Sequence, residues 1–319
     1  MNRTLLPLFF ILSLCCRAED WQSLATKFEE IPHAKLTRYG LHDNKGHSMD
    51  CLEVFQPGGK GDLYGVYHTL GENVFSVHLA RSKDLRKWTH VRTLDSHASQ
   101  AAIHETKRGS FLLALEKDAP NSCWIRLVHF KDLAHLIAGK PDQKIDLPRT
   151  LAPTAEGTPS FESVDLPNGD LSKSTIKLRH HYYKNARVDQ LAAGTLTGFQ
   201  TWKSMPSPHL NQAFQKLGAL GNLGDRDRFE WKGRNYYLQE AQGKRRDWGT
   251  WGIHLCDNKG MPLKKLAFQT PRGATAFANP SVSKVRLPGT GEEAMIFTAF
   301  IHSRGTQPSE VGQFLMVLP

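Results

Sequence analysis

One pattern recurs along this chain and limits what it can become. A polar opening leads into a first strand, a polar turn and an apolar second strand follow, and a third strand then runs into a turn that often carries Asp-Leu and Trp. The unit begins near His47, Ser99, Glu156, Gly224 and Phe277. Spacings of about fifty to seventy residues are those of four-stranded blades with their loops. The second strands are expected at Leu63 to Thr69, Phe111 to Leu115, Leu178 to Tyr183, Asn235 to Gln239 and Ala294 to Phe300. Each is a short apolar or aromatic run bounded by Gly, Pro, Asn and Asp. The turns after the third strands are Ser82-Lys83-Asp84-Leu85-Arg86-Lys87-Trp88, Phe130-Lys131-Asp132-Leu133 and Thr197-Gly198-Phe199-Gln200-Thr201-Trp202, with a weaker copy at Met261-Pro262-Leu263-Lys264-Lys265.

These units predict an all-β, five-bladed β-propeller with four-stranded antiparallel blades. The fifth unit ends with Gly312 to Leu318 and leaves no residues for a fourth strand. Ala34 to Tyr39 is the segment expected to complete it, and closing the ring removes the open sheet edges that invite aggregation. A β-sandwich is the alternative; it would leave the shared strand order and turn type of five units to coincidence. Helical periodicity is confined to Trp21 to Glu30 and His209 to Lys216. No linker rich in Ser, Pro or Gly divides the chain, so residues 19–319 are read as one domain.

Residues 1–18 have the layout of a cleavable export signal, with Arg3 at a polar start, an apolar run from Leu5 to Leu14 and a small residue at Ala18. The run is too short to span a bilayer. This predicts a secreted or periplasmic protein. A lipid anchor on Cys15 or Cys16 is disfavoured by Leu14, which is bulky where a small residue is needed. Nothing later is apolar enough to cross a membrane. Cys51, Cys123 and Cys256 remain after the signal, an odd number without metal spacing, and are expected as buried thiols.

The formal net charge is +10, but Lys and Arg are scattered apart from Lys244-Arg245-Arg246. No nucleic-acid-binding motif accompanies them. A phosphate-cradling loop, a dinucleotide fingerprint and a Gly-x-Ser-x-Gly elbow are all absent, and no cofactor is implied. A monomer is expected.

In a propeller the first strand of each blade lines the axis, so strand entrances far apart in sequence converge. Those entrances are polar here: His42, Asp43, His47 and Asp50, then Gln100 and His104, then Glu156-Gly157-Thr158-Pro159-Ser160, then Gly224-Asp225-Arg226-Asp227-Arg228-Phe229, then Asn279-Pro280-Ser281. Carboxylates facing one another across a wet funnel suit cleavage of a glycosidic bond, which needs a proton donor and an ionised partner. Glu156, Asp50 and Asp225 are the expected catalytic carboxylates. Asp43, His47, Gln100, His104, Arg226 and Asp227 are expected to contact a carbohydrate substrate. Trp248 and Trp251 offer faces on which sugar rings stack, and Lys244, Arg245 and Arg246 beside them suit an anionic glycan. Each candidate also has a structural reading. Asp50 and Asp43 are placed to serve turns, and Asp225-Arg226-Asp227 suits an ion network between blades. His47 and His104 make no standard metal spacing and are read as polar residues.

The Ser-Lys-Asp-Leu-Arg-Lys-Trp turn and the Glu-Gly-Thr-Pro opening of the third unit resemble the five-bladed glycoside hydrolases of family 43, the arabinanase and β-xylosidase-like enzymes, with their invertase-like relatives. The resemblance in blade pattern spans nearly all the chain after the signal. It implies a Glu acid opening the third blade, matched by Glu156 with one extra residue, Thr158, before Pro159. It implies an Asp base at the start of the first inner strand, for which Asp50 is nearest and Asp43 second, neither followed by the usual Pro. The family's third carboxylate, from the second blade, has no counterpart. Gln100 and His104 stand there, with Asp225 or Asp227 as substitutes. A secreted glycoside hydrolase and a non-catalytic, glycan-binding propeller at the cell surface are the two readings that follow.

Overall fold

The computed structural model describes residues 20–183 and 187–319; the export signal expected over residues 1–18 lies outside them. A short strand, β1 (Leu36–Arg38), precedes five four-stranded antiparallel sheets. Blade I comprises β2 (Asp50–Phe55), β3 (Leu63–Leu70), β4 (Phe75–Ser82) and β5 (Thr89–Ser96), and blade II β6 (Ala98–Glu105), β7 (Phe111–Ala119), β8 (Ser122–Phe130) and β9 (Gln143–Asp146). Blade III comprises β10 (Glu156–Asp165), β11 (Thr175–Tyr183), β12 (Asp189–Thr197) and β13 (Thr201–Pro206), and blade IV β14 (Leu223–Trp231), β15 (Arg234–Gln242), β16 (Trp251–Cys256) and β17 (Pro262–Lys265). Blade V holds β18 (Phe277–Arg286), β19 (Glu293–Ile301) and β20 (Gly312–Val317). β1 completes it, pairing antiparallel with β20 so that Leu36 faces Val317. The ring therefore closes with the segment the sequence singled out.

Strand periodicity explains why the blades stack into a ring. Successive side chains leave a strand on opposite faces, and each blade has a neighbour on both. In β7, Phe111, Leu113 and Leu115 enter the core shared with blade I, whereas Leu112 and Ala114 enter the core shared with blade III. In β15, Tyr236 and Leu238 face blade V, and Tyr237 and Ala241 face blade III. In β19, Phe297, Ala299 and Ile301 face blade IV, and Ala294 and Ile296 face blade I. No blade can bury both faces alone, so burial of about 25 cal/mol per Å² is collected only in the closed ring.

Helices fill two of these wedges. The helix at residues 20–29 (α1) inserts Leu24, Ala25 and Phe28 between blades IV and V. Helix α3 (Pro208–Lys216) inserts Leu210 and Phe214 between blades III and IV. Both were legible as helical periodicity. The Asp-Leu signal resolves differently by blade. In blade I, Asp84 Oδ1 accepts the Arg86 and Lys87 N–H groups at 2.8 Å each and closes a turn. In blade II, Asp132 accepts the His135 N–H at 2.8 Å and caps α2 (Leu133–Ala138). The expected turn copy at Met261 to Lys265 is corrected: Pro262–Lys265 is strand β17, and the turn lies before it, where Asp257 accepts the Lys259 and Met261 N–H groups at 2.9 Å each.

The turn tryptophans pack against glycines. A Cβ on Gly65 would meet Trp88 at 3.1 Å, and one on Gly194 would meet Trp202 at 2.2 Å. Gly194→Ala must displace a buried indole. It is expected to cost about 1–3 kcal/mol, read as a lower urea midpoint at unchanged slope. An unaltered midpoint would show that the indole packing is not what fixes this turn.

Candidate active site

Each inner strand carries the same irregularity near its entrance. Two residues oppose one on the second strand: 51–52 in blade I, 100–101 in II, 158–159 in III, 224–225 in IV and 279–280 in V. These are β-bulges, which re-aim side chains. In four of the five the first bulge residue is left-handed without being glycine: Cys51, Gln100, Thr158 and Asn279, at φ of 53°, 48°, 49° and 51°. Pro159 and Pro280 occupy second bulge positions, where a missing ladder N–H is tolerated.

The preceding blade receives the N–H that the bulge turns outward. His68 Nδ1 accepts from Gln100 at 3.2 Å, and Glu116 Oε2 accepts from Thr158 at 2.8 Å. Glu240 accepts from Asn279 of the next blade and, at 2.7 Å, from Asp225 of its own. Two glycines make room for these acids. A Cβ on Gly157 would lie 1.9 Å from the Glu116 carboxylate, and one on Gly224 would lie 1.9 Å from that of Glu240.

Above this ring opens a cavity of about 490 Å³ to which all five blades contribute. Asp50, Glu116, Asp189 and Glu240 bring four carboxyl groups from four blades; Trp248, Trp251, Tyr183, Phe300 and His302 supply aromatic wall. Trp248 is 47% exposed and stacks on His302 with ring centroids 5.1 Å apart. At the floor, Gln100 Oε1 accepts from the Cys51 thiol and from Asn279 Nδ2, each at 3.0 Å.

The four acids fall into two kinds. Glu116 and Glu240 hold backbone N–H groups. Among the described residues, Asp50 and Asp189 accept none: Asp50 Oδ2 takes only the Ser48 hydroxyl at 3.1 Å, and Asp189 lies 3.8 Å from His181 Nε2. Burial pushes both carboxyls up to about 6. Burial holds His68 and His181 down to about 4, which keeps them neutral. Burial, and then the charges of Asp225, Glu240, Asp50 and Glu116, drive the Cys51 thiol upward.

Of the expected site residues, Asp50, Gln100, Trp248 and Trp251 line this cavity. Glu156 does not. It is 2% exposed, and its Oε1 accepts the N–H groups of Thr150, Leu151 and Ala152, so it anchors the loop before blade III. Asp225 is buried beneath Glu240, whose charge adds to burial in raising its pKa. Arg226, 3% exposed, binds Gln239 Oε1 and the Gly224 carbonyl and stays under the floor. His104, near the end of β6, and Asp227, midway along β14, line a separate recess with Glu53. Asp227 there accepts the Val282 N–H at 2.7 Å. Asp43 and His47 stand on the outer side of blade I, where Asp43 accepts the Tyr67 hydroxyl at 2.6 Å. Glu116, Asp189 and Glu240 escaped the sequence reading because they sit on second and third strands. The one signal for them is an acid closing an apolar strand, Glu116 after Leu115 and Glu240 after Leu238-Gln239.

Solved structures share this architecture. The chain matches a glycoside hydrolase at 10% identity over 94% of each chain, with a TM-score of 0.60. It matches a thermostable family-43 glycoside hydrolase at 11% identity over 91% of each chain, TM-score 0.53. A GH62 hydrolase in complex with xylotriose matches at 11% identity over 88% of this chain and 94% of that one, TM-score 0.55. No protein-family model and no curated protein matches the sequence. The likeness is one of fold, the five-bladed fold of families 43 and 62, and agrees with the resemblance carried by the blade motifs. Among the described residues no helix is long and apolar enough to cross a membrane.

Because the folded carboxyls of Asp50 and Asp189 ionise near 6, above the ordinary value of about 3.9, the fold favours their protonated forms. That contribution is complete below about pH 4 and is lost as pH rises toward 6 and beyond. Asp189→Asn is therefore expected to melt above wild type at pH 7.5, by a stability gain on the order of 1–3 kcal/mol, with the gap closing at pH 4. A gap that does not vary with pH would refute the buried-acid assignment.

Proposed function

We propose that this protein is an exported glycoside hydrolase that cleaves a polysaccharide or oligosaccharide in the blade-mouth cavity, with Asp50 and Asp189 as its acid and base. One observation carries this: two carboxyl groups from different blades, neither held by a backbone N–H among the described residues, both pushed up to about 6 and both open to a cavity walled by Trp248 and Trp251. The protonated member donates to the leaving oxygen while the ionised member activates water or attacks the anomeric carbon. Glu116 and Glu240, fixed by their N–H donors, set two further carboxyl groups beside the sugar. Trp248, braced by His302, stacks a sugar face. Arg245 donates to the Tyr183 hydroxyl at 3.3 Å, which brings basic charge to the rim and favours an anionic glycan.

A second reading is a propeller that binds glycan without cleaving it. It is favoured by the structural use of Glu156, the residue that the resemblance would make the acid. It is also favoured by the like shifts of Asp50 and Asp189, since acid–base pairs are usually driven apart.

Turnover on a polysaccharide panel separates the two. Asp50→Asn and Asp189→Asn are each expected to cut turnover by about 100- to 10,000-fold with binding retained. Glu156→Gln should lower the melting temperature instead. With both groups near 6, kcat/KM should form a narrow bell centred near pH 6. Clear binding without product release from any glycan would decide for the binding module, and full turnover in either Asn variant would remove that residue from the chemistry. Binding that is equal for charged and neutral polysaccharides and indifferent to salt would reject the anionic preference.

A further inference from the structure

Outside the funnel, on the outer side of blade I, three imidazoles converge. His78 lies on β4, His90 on β5 and His47 in the loop that leads into β2. One ligand nitrogen from each lies within 4.8 Å of the others. The His47 and His78 rings stack with centroids 5.1 Å apart, and His90 stands edge-on to both at 5.7 and 5.4 Å.

The hydrogen bonds around them leave nitrogens unused. His78 is 4% exposed; its Nδ1 is engaged by the Thr93 hydroxyl at 3.1 Å, and its Nε2 is buried with no partner. A buried imidazole nitrogen without a partner is costly and needs an explanation. His47 Nδ1 meets the Asp43 carboxylate at 2.9 Å, which leaves Nε2 as the nitrogen available to an ion. Asp43 is itself held rigidly, accepting the Tyr67 hydroxyl at 2.6 Å and the Lys45 and His47 N–H groups at 2.8 and 3.1 Å. A buried carboxylate that orients one imidazole nitrogen so that the other can ligate is the usual outer shell of a metal-bound histidine. His90 is anchored through its backbone, which donates to Asn44 of the same loop at 2.8 Å.

We infer that His47, His78 and His90 form a binding site for a late first-row divalent cation, Zn2+ above all, with Asp43 as the carboxylate that positions His47. Imidazole suits zinc, copper and nickel and is a poor match for calcium or magnesium. Around a tetrahedral zinc the ligand nitrogens stand about 3.3 Å apart, for bonds of about 2.0–2.1 Å. His47 and His90, the less buried pair, would have to close from 4.8 Å or less to that spacing about His78 when the ion binds. Three imidazoles leave a fourth position for water. The bound ion ties the 42–48 loop to the outer strands of blade I. That loop carries Ser48, the hydroxyl donor to Asp50, so the ion braces the entrance to the funnel. The site stands apart from the proposed glycosidase chemistry, and metal uptake is read directly, so either can fail without the other.

The test uses the full-length protein, stripped with EDTA and dialysed. Titration with ZnCl2 by calorimetry is expected to show one ion per chain and a raised melting temperature. CoCl2 is expected to give the intense visible absorption of tetrahedral Co2+. His47→Gln and His90→Gln, which melt like wild type without metal, should each weaken Zn2+ binding by at least about tenfold, and Asp43→Asn by a similar factor. Absence of stoichiometric Zn2+ binding, or undiminished binding in the His47→Gln/His90→Gln double variant, would overturn the site. If a variant fails to fold, the wild-type cobalt spectrum still decides, because the weak absorption of octahedral Co2+ overturns it too.

Discussion

The funnel depends on one backbone irregularity repeated around the ring. A left-handed residue that is not glycine costs on the order of 1–3 kcal/mol, and this fold carries four of them at equivalent positions, Cys51, Gln100, Thr158 and Asn279. Three of them, at Gln100, Thr158 and Asn279, sit where the preceding blade completes the bulge. His68, Glu116 and Glu240 accept the N–H groups of the next blade's bulge. Similar polar staples recur deeper along the inner strands, where Glu53 accepts from Ile103 and Asp227 from Val282. Gln56 likewise exchanges two hydrogen bonds with the Arg286 backbone across the junction that β1 and β20 secure. The mouth residues are therefore positioned by the closed ring, and not by any single blade.

The same constraint explains what the sequence discloses. Blade order, strand starts, the closing strand and two helices were legible, because period-two burial and recurrent turns are local properties. Asp50 and Gln100 were legible as cavity residues because Asp50 directly precedes its bulge and Gln100 opens its own, on the side that faces the mouth. Glu156 was misread because a strand entrance tells which residue is there but not which way it points; it precedes its bulge and turns back onto residues 150–152. Arg226 and Asp227 follow theirs, and so fall under the floor and into the recess beyond it. Asp43 and His47 belong to a loop whose course is set by Tyr67, a contact across 24 positions of sequence that no motif announces.

Glu116, Asp189 and Glu240 were missed for a related reason. The expectation that first strands alone line the axis holds at the narrow floor, where Cys51, Gln100 and Asn279 meet. The cavity widens above it, and the ends of the second and third strands then become wall. An acid there interrupts an apolar strand, a weak pattern that also marks an ordinary strand end. Only the glycines opposite Glu116 and Glu240, Gly157 and Gly224, add a second trace of the close approach.

Backbone donors, and not burial cost, separate the structural acids from those proposed for the chemistry, since burial also raises Glu240 and Glu53 and pushes Asp227 up to about 6. A desolvated carboxyl is tolerated when donors compensate it. Glu116, Glu240, Glu53 and Asp227 each receive a backbone N–H from the next blade, and each would leave that blade's bulge or strand unsatisfied if removed. Asp50 and Asp189 are buried enough to be pushed up to about 6, yet among the described residues their carboxyls accept no backbone N–H. Ionised, these carboxylates destabilise the fold. Two such groups, from different blades, open into the same aromatic-walled cavity. That is the arrangement expected where stability has been given up for a reaction or a ligand, because packing alone would have placed an amide or an apolar side chain at either position.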